Sequence, residues 1–89
     1  MKHFNITITG RVQGVGFRYS ARSFARYTGI KGFVRNTPDN NVYIEAEGDE
    51  EKVNEFVNWC RKGPDNAKVE HISVLPGEIQ NFDGFEVKF

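Results

Sequence analysis

The sequence is poor in the residue types that build disulfides and metal centres. Its 89 residues include one cysteine and two histidines. An internal disulfide and a cysteine-ligated metal cluster are therefore excluded. Basic and acidic residues both number 12, so the formal net charge is zero and no broad field favours nucleic acid or a membrane surface. Any recognition of an anion must depend on a few local groups.

We expect neither a targeting segment nor a nucleotide-binding site. No apolar run approaches the roughly 18 residues of a membrane span. The start, MKHFNITI, alternates apolar and polar residues as a strand does and does not contain the continuous apolar block of a signal peptide. Neither GxxxxGK[ST] nor GxGxxG is present, so nucleotide binding has no motif support. We expect a single domain over residues 1–89 that is cytoplasmic and monomeric, with no cofactor and no metal.

The sequence does contain a regular succession of strand and helix patterns. Alternating apolar residues predict strands over 3–9, 32–36, 42–47, 70–75 and 85–89. Apolar residues at helical spacing predict one helix over 19–28 and a second between an Asp49 N-cap and a stop at Gly63 and Pro64. The order predicts an α+β fold with two helices on one face of a mostly antiparallel sheet and a short extra C-terminal strand. In the third strand, Glu47 is expected to face outward, away from the helices.

The nonapeptide GRVQGVGFR, residues 10–18, has the composition of an anion-binding loop and lies between the first predicted strand and helix. Its glycines let the backbone take positive φ, so that successive N–H groups can converge on one point. The helix N-terminus adds unpaired N–H groups and a partial positive charge. Arg18 adds a guanidinium that matches two phosphate oxygens. The loop is therefore predicted to hold a phosphate-like group.

Topology predicts that Asn36 is the second member of this site. The first two strands flank a helix, so they should run parallel with a right-handed connection. The loop that ends at Arg18 and the segment that starts at Asn36 then emerge at the same end of the sheet. A neutral amide cannot act as a base, but it can orient a water or a carbonyl. An Asx-turn role is the alternative for Asn36, and Thr37 is predicted to be a turn residue with a satisfied hydroxyl.

Several other polar and aromatic residues are predicted to have structural roles at the surface or in the core. These are Arg22, Arg26, Trp59 and Cys60. His3 and His71 fall on different strands outside the candidate site, so neither a histidine metal site nor a histidine general base is predicted.

Two motifs together resemble the signatures of the acylphosphatase family. GRVQGVGFR and GFVRN, residues 32–36, are similar to the patterns GxVQGVxFR and GxVxN, and the resemblance extends over the whole chain. It implies a ferredoxin-like sandwich that hydrolyses the carboxyl–phosphate bond of acyl phosphates without a metal. Because the loop would bind only the phosphate, we expect a broad range of acyl groups.

The resemblance also implies roles for individual residues. Arg18 is similar to the family's phosphate-binding arginine, and Asn36 to the asparagine that positions the attacking water. The backbone N–H groups that would cradle the phosphate are those of Gln13, Gly14, Val15, Gly16, Phe17 and Arg18. The sequence departs from the family at Asn40, where the turn usually has glycine. Asparagine tolerates positive φ, so the turn is expected to survive.

Two other functions are alternatives to hydrolysis. RNA-recognition modules share the element order, and Lys31-Gly32-Phe33 resembles the opening of their signature. That match fails at residues 34–36 and lies on the wrong strand. A binding or carrier role is the second alternative, because the same loop occurs in a domain of larger carbamoyl-transfer proteins. The expected partners are therefore an acyl phosphate and inorganic phosphate, with neither nucleic acid nor membrane.

Overall fold

The seven helices and strands follow the predicted order, in a computed structural model that describes all 89 residues. They are β1 (Lys2–Arg11), α1 (Phe17–Thr28), β2 (Lys31–Asn36), β3 (Val42–Gly48), α2 (Glu50–Lys62), β4 (Lys68–Pro76) and β5 (Phe85–Lys88). The first helix, predicted from about residue 19, begins two residues earlier, at Phe17. None of the helices combines the length and the apolar character that crossing a membrane requires.

The sheet has the strand order β4-β1-β3-β2-β5. Strands β1 and β2 are each antiparallel to β3, which lies between them, so they run parallel to each other as predicted. Strand β5 extends the sheet beyond β2, and the β2–β5 pairing is the one parallel pairing of the sheet. The loop that leaves β1 and the turn that leaves β2 are therefore at the same end of the sheet.

Both helices pack on this mixed sheet and bury a shared apolar core, which confirms the ferredoxin-like α+β prediction. The helical residues in this core are Phe17, Ala21, Ala25, Val53, Phe56, Val57 and Cys60. Each helix ends at a glycine with positive φ, Gly29 after α1 and Gly63 after α2, as the sequence indicated. Asp49 occupies the N-cap position of α2, but its side chain makes no capping hydrogen bond.

Glu47 differs from the other outward-facing residues of β3, because it is only 1% exposed. The chain between β4 and β5 folds back over this face of the sheet. The backbone N–H groups of Gln80 and Phe82 donate to the two Glu47 carboxylate oxygens, at 2.8 and 3.0 Å. His3 Nδ1 lies 2.8 Å from the same carboxylate. Burial alone raises the pKa of Glu47, but these hydrogen bonds outweigh burial and hold the pKa below its ordinary value.

Candidate functional site

A pocket of about 180 Å³ lies where the loop after β1 meets the end of β2. Its lining residues are Val12, Gly14, Gly16, Phe17, Arg18, Tyr19 and Asn36. We call it the loop pocket. The structure thus brings together the two side chains that the sequence analysis paired, Arg18 and Asn36.

The conformation of the loop explains its glycines. Gly14 and Gly16 have φ of 74° and 78°, a left-handed conformation that side chains with a Cβ adopt with strain. A Cβ added at either position would meet no atom within 4 Å. The backbone angle, rather than a shortage of space, therefore accounts for glycine at these two positions.

The N-terminus of α1 lines the loop pocket. Gly16 is the N-cap, and the first hydrogen bond of the helix runs from the Ser20 N–H to the Gly16 carbonyl at 3.0 Å. The N–H groups of Phe17, Arg18 and Tyr19 have no partner inside the helix, as at any helix start. The first turn carries no acidic side chain, so the partial positive charge of the helix end is not neutralised locally. This arrangement suits an anion.

The C-terminal strand holds the side chain of Arg18. An Nη atom of Arg18 donates to the Lys88 carbonyl at 3.2 Å, and the guanidinium carbon lies 4.7 Å from the centroid of the Phe89 ring. These contacts exist because β5 runs parallel to β2, with Lys88 in register with Arg35 next to Asn36. The Lys88 and Phe89 contacts are absent from the sequence predictions. Predicting them would have required predicting that β5 pairs in parallel with β2.

Gln13 ties the loop to the turn that follows β2. Its side-chain Nε2 donates to the carbonyls of Thr37 at 3.0 Å and Asn41 at 2.8 Å. The two segments are therefore fixed to each other directly, as well as through the sheet. The Asn36 side-chain amide, by contrast, forms no hydrogen bond with another group of the protein, and it lines the loop pocket.

The turn after Asn36 has the structure that its sequence predicts. The Thr37 hydroxyl accepts a hydrogen bond from the Asn41 N–H at 3.1 Å and donates to the Asp39 carboxylate, so it is satisfied within the turn. Asn40 takes a φ of 69°, in the left-handed region where the family usually has glycine. The turn closes through a hydrogen bond from the Thr37 N–H to the Asn41 carbonyl at 2.9 Å.

The lining of the loop pocket differs in part from the predicted cradle. Gly14, Gly16, Phe17 and Arg18 line it, whereas Gln13 and Val15 do not. Val12 and Tyr19 line it without having been predicted. Both are direct neighbours of predicted residues. Lining a pocket is not the same as donating a backbone N–H to phosphate, so the cradle over residues 13–18 stays a prediction.

The residues predicted to have structural roles lie away from the loop pocket. His3 is buried against Glu47 on the other side of the sheet, and Cys60 is fully buried in the core. Burial raises the pKa of the Cys60 thiol, so the sulfur stays protonated and unreactive. No group of three or more His, Cys, Asp or Glu side chains is placed to hold a metal ion.

Comparison with known proteins identifies the family of this chain. A family model described as Acylphosphatase matches residues 4–87. The chain belongs to the acylphosphatase family. An acylphosphatase from Archaeoglobus fulgidus is 46% identical over 84 residues, which cover 94% of each chain. The acylphosphatase from Bacillus subtilis, solved as a crystal structure, superposes with a TM-score of 0.96 at 36% identity, with both chains fully covered.

The acylphosphatase fold also occurs within a much longer protein. The crystal structure of HypF from T. kodakarensis matches the whole of this chain with a TM-score of 0.87 and 31% identity, but the match covers only 12% of the HypF chain. Acylphosphatases are hydrolases, so membership of the family makes this chain a hydrolase. It also confirms the resemblance on which the roles of Arg18 and Asn36 were expected.

Proposed function

We propose that the chain hydrolyses acyl phosphates to a carboxylate and inorganic phosphate in the loop pocket, without a metal ion and without a phosphoenzyme. The observation that carries this proposal is that Arg18 and Asn36 line one pocket at the N-terminus of α1. One side of the pocket can neutralise a phosphate, and the other offers an amide that can orient water. Membership of the acylphosphatase family supports the same reaction.

The phosphate of the substrate would bind against the helix N-terminus and Arg18. The loop N–H groups and the guanidinium would share its non-bridging oxygens, where charge lies in the transition state of phosphoryl transfer. The contacts of Arg18 with the Lys88 carbonyl and the Phe89 ring restrict the guanidinium before substrate binds. Less conformational freedom is then lost on binding.

Asn36 would hold the attacking water. Its oxygen can accept a hydrogen bond from the water and so point a water lone pair at phosphorus. The water oxygen forms the new bond to phosphorus while the bond from phosphorus to the acyl oxygen breaks, and the carboxylate leaves with the bonding electrons. A neutral amide takes no proton, so we assign the water's proton to a phosphate oxygen of the substrate. Because the carboxylate is already a good leaving group, positioning and charge stabilisation are the main tasks of the protein.

The side chains around the pocket support direct attack by water. No Ser, Thr, Cys, His, Lys, Asp or Glu side chain is among its lining residues. Nucleophilic catalysis needs such a group activated by a neighbouring base or by a lowered pKa. The Tyr19 hydroxyl is the one remaining oxygen nucleophile, and no base lies beside it in the pocket lining.

Two measurements test this proposal. The first is release of phosphate from benzoyl phosphate and acetyl phosphate in excess chelator, with the Arg18→Gln protein as a control for contaminating phosphatases. We expect turnover that chelation leaves unchanged and that the variant lacks. The second is exchange of labelled benzoate into benzoyl phosphate, which a phosphoenzyme would catalyse. We expect no exchange, and its appearance would overturn direct attack by water.

A non-catalytic role is the second candidate, because the same fold occurs as a small part of the longer HypF chain. In that case the loop pocket would bind a phosphorylated compound without hydrolysing it. Binding of inorganic phosphate to the loop pocket with no turnover of any acyl phosphate would establish this alternative.

A further inference from the structure

A second hollow lies beside the loop pocket, between the two helices. It has a volume of about 360 Å³. Its lining residues are Tyr19, Ser20, Ser23 and Phe24 of α1, Trp59 of α2, and Pro64. We call it the aromatic groove. The groove is shallow and widely open, and its aromatic rings and serine hydroxyl groups are side chains on which a small organic group can pack.

The aromatic groove adjoins the loop pocket at one residue, Tyr19. Tyr19 lines both, and its side chain is 49% exposed. A second link lies underneath, where the Phe17 ring of the loop pocket meets the Trp59 ring of the groove edge-on, with centroids 5.4 Å apart. A ligand that fills the loop pocket and extends beyond it along the helices therefore passes over Tyr19 into the groove.

The rings of the aromatic groove are held in place by their neighbours. Trp59 stacks on Phe24 with centroids 5.6 Å apart and an angle of 19° between the ring planes. The guanidinium carbon of Arg22 lies 5.2 Å from the centroid of the Tyr19 ring. Aromatic surfaces that are already ordered lose little conformational freedom when a ligand packs on them.

We propose that the aromatic groove binds the acyl group of the substrate and favours benzoyl and similar aromatic groups over acetyl. This inference rests on the proposed function. In-line displacement places the leaving acyl group on the side of the phosphate away from the attacking water, and the groove is the aromatic surface that adjoins the phosphate pocket. The phosphate is the group that reacts, and the groove adds affinity that depends on the size of the acyl group. The broad substrate range expected from sequence becomes a graded one.

The size of the preference follows from the strength of aromatic contacts. One well-placed pair of rings contributes about 3- to 10-fold in affinity beyond the area that it buries. An acetyl group is too small to reach past Tyr19 and gains none of this. We therefore expect a higher kcat/KM for benzoyl phosphate than for acetyl phosphate, with the difference mainly in KM.

The kinetic test compares the two substrates in matched variants. Tyr19→Ala should lower the ratio of kcat/KM for benzoyl phosphate to that for acetyl phosphate by about 3- to 10-fold. Tyr19→Phe keeps the ring and should keep the ratio. Tyr27→Ala is the control, because Tyr27 is on the same helix, 91% exposed and outside both hollows. A ratio that Tyr19→Ala leaves unchanged counts against the groove.

A binding test on the unaltered protein needs no turnover. Trp59 is the sole tryptophan of the chain, so its fluorescence reports on the groove directly. Benzoylmethylphosphonate, a non-hydrolysable analogue, should change this fluorescence saturably and in competition with inorganic phosphate. Acetonylphosphonate should change it no more than inorganic phosphate does, and free N-acetyltryptophanamide controls for direct quenching.

The two tests separate failure of the groove from failure of the proposed function. A protein that hydrolyses both substrates, but shows the same fluorescence change with both phosphonates, retains the proposed function and overturns the acyl subsite. A protein that hydrolyses neither substrate, yet responds selectively to the benzoyl analogue, overturns the hydrolase proposal and supports the groove as a binding site.

Discussion

The Arg18 guanidinium carbon lies 4.7 Å from the centroid of the Phe89 ring, so the C-terminal strand orients the cation of the loop pocket. Phe89 is 91% exposed, and cation–π contacts at exposed sites contribute about 0.5–1 kcal/mol. We therefore expect Phe89→Ala to lower kcat/KM for acetyl phosphate by only about 2- to 5-fold. Steady-state kinetics check this, and a loss beyond about 100-fold would mean that Phe89 does more than orient Arg18.

Replacing Arg18 should have a much larger effect. In the proposed mechanism Arg18→Gln removes the charge that stabilises the transition state, so kcat should fall by at least ~10³. Arg18→Lys keeps the charge but loses the planar fork that binds two oxygens at once, so it should also be severely impaired. The matched control is Arg26→Gln, a change to an exposed residue of the same helix outside the loop pocket, which should leave kcat unchanged. If Arg18→Gln kept more than a tenth of the wild-type kcat, the assignment of Arg18 would be wrong.

Asn36→Ala should separate binding from catalysis. The variant loses the amide that we propose to orient water, while the helix N-terminus and Arg18, the proposed phosphate site, remain. We expect most turnover to disappear and competitive inhibition by inorganic phosphate to persist nearly unchanged. Calorimetric titration with phosphate provides the measurement for a variant too slow to assay. Loss of phosphate binding together with activity would make Asn36 a structural or binding residue instead.

Glu47→Gln should destabilise the fold in a pH-dependent way. The carboxylate accepts hydrogen bonds from the Gln80 and Phe82 N–H groups and contacts His3, and an amide replaces one of its two acceptor oxygens by a donor. Loss of hydrogen bonds to a buried charge costs about 1.5–3 kcal/mol. Urea unfolding at neutral pH measures the difference in the free energy of unfolding.

The pH dependence has a definite sign. The pKa of Glu47 is lower in the folded state than its ordinary value of 4.5, so folding is favoured by the ionised form. Its stabilisation is fully present above pH 4.5 and is lost as the pH falls through the lower folded pKa. The difference between wild type and Glu47→Gln should therefore shrink as the solution is acidified. A difference that grew with acid would contradict the assignment.

The Cys60 thiol should be inert in the native protein. It is fully buried among core residues, and burial raises its pKa, so the reactive thiolate is suppressed. A thiol reagent such as dithiobisnitrobenzoate should label it at the rate at which the core opens, and completely in denaturant. Rapid stoichiometric labelling under native conditions would show that α2 opens far more often than its packing implies.

The fold and the centre of the site were predictable from sequence because both follow from strong local signals. Apolar periodicity placed the helices and strands, and the right-handed crossover brought Asn36 beside the loop that ends at Arg18. The boundaries were less accurate, as the start of α1 at Phe17 illustrates. Phe17 comes directly after the glycine loop, and no N-capping side chain marks the transition.

Contacts made by irregular or edge segments could not be predicted. The burial of Glu47 depends on residues 77–84, which have no periodicity and carry no sign of which face they cover. The double hydrogen bond of Gln13 depends on the exact path of two loops, since an amide at that position is equally compatible with exposure to solvent. Tyr19 was missed as a lining residue because only its three-dimensional neighbours distinguish it from an ordinary exposed tyrosine.

Strand β3 sets the distance between the two strands that lead to the loop pocket, although it contributes no residue to the pocket. It separates β1 from β2, so the strand that leads to the loop and the strand that ends at Asn36 are two strand spacings apart, about 9–10 Å. None of its side chains lines the loop pocket, yet Ile44 at its centre is fully buried against the helices. In the proposed mechanism, a shift of β3 would change the distance between the water held by Asn36 and the phosphate held by the loop. Core substitutions there could thus tune the rate without touching the substrate.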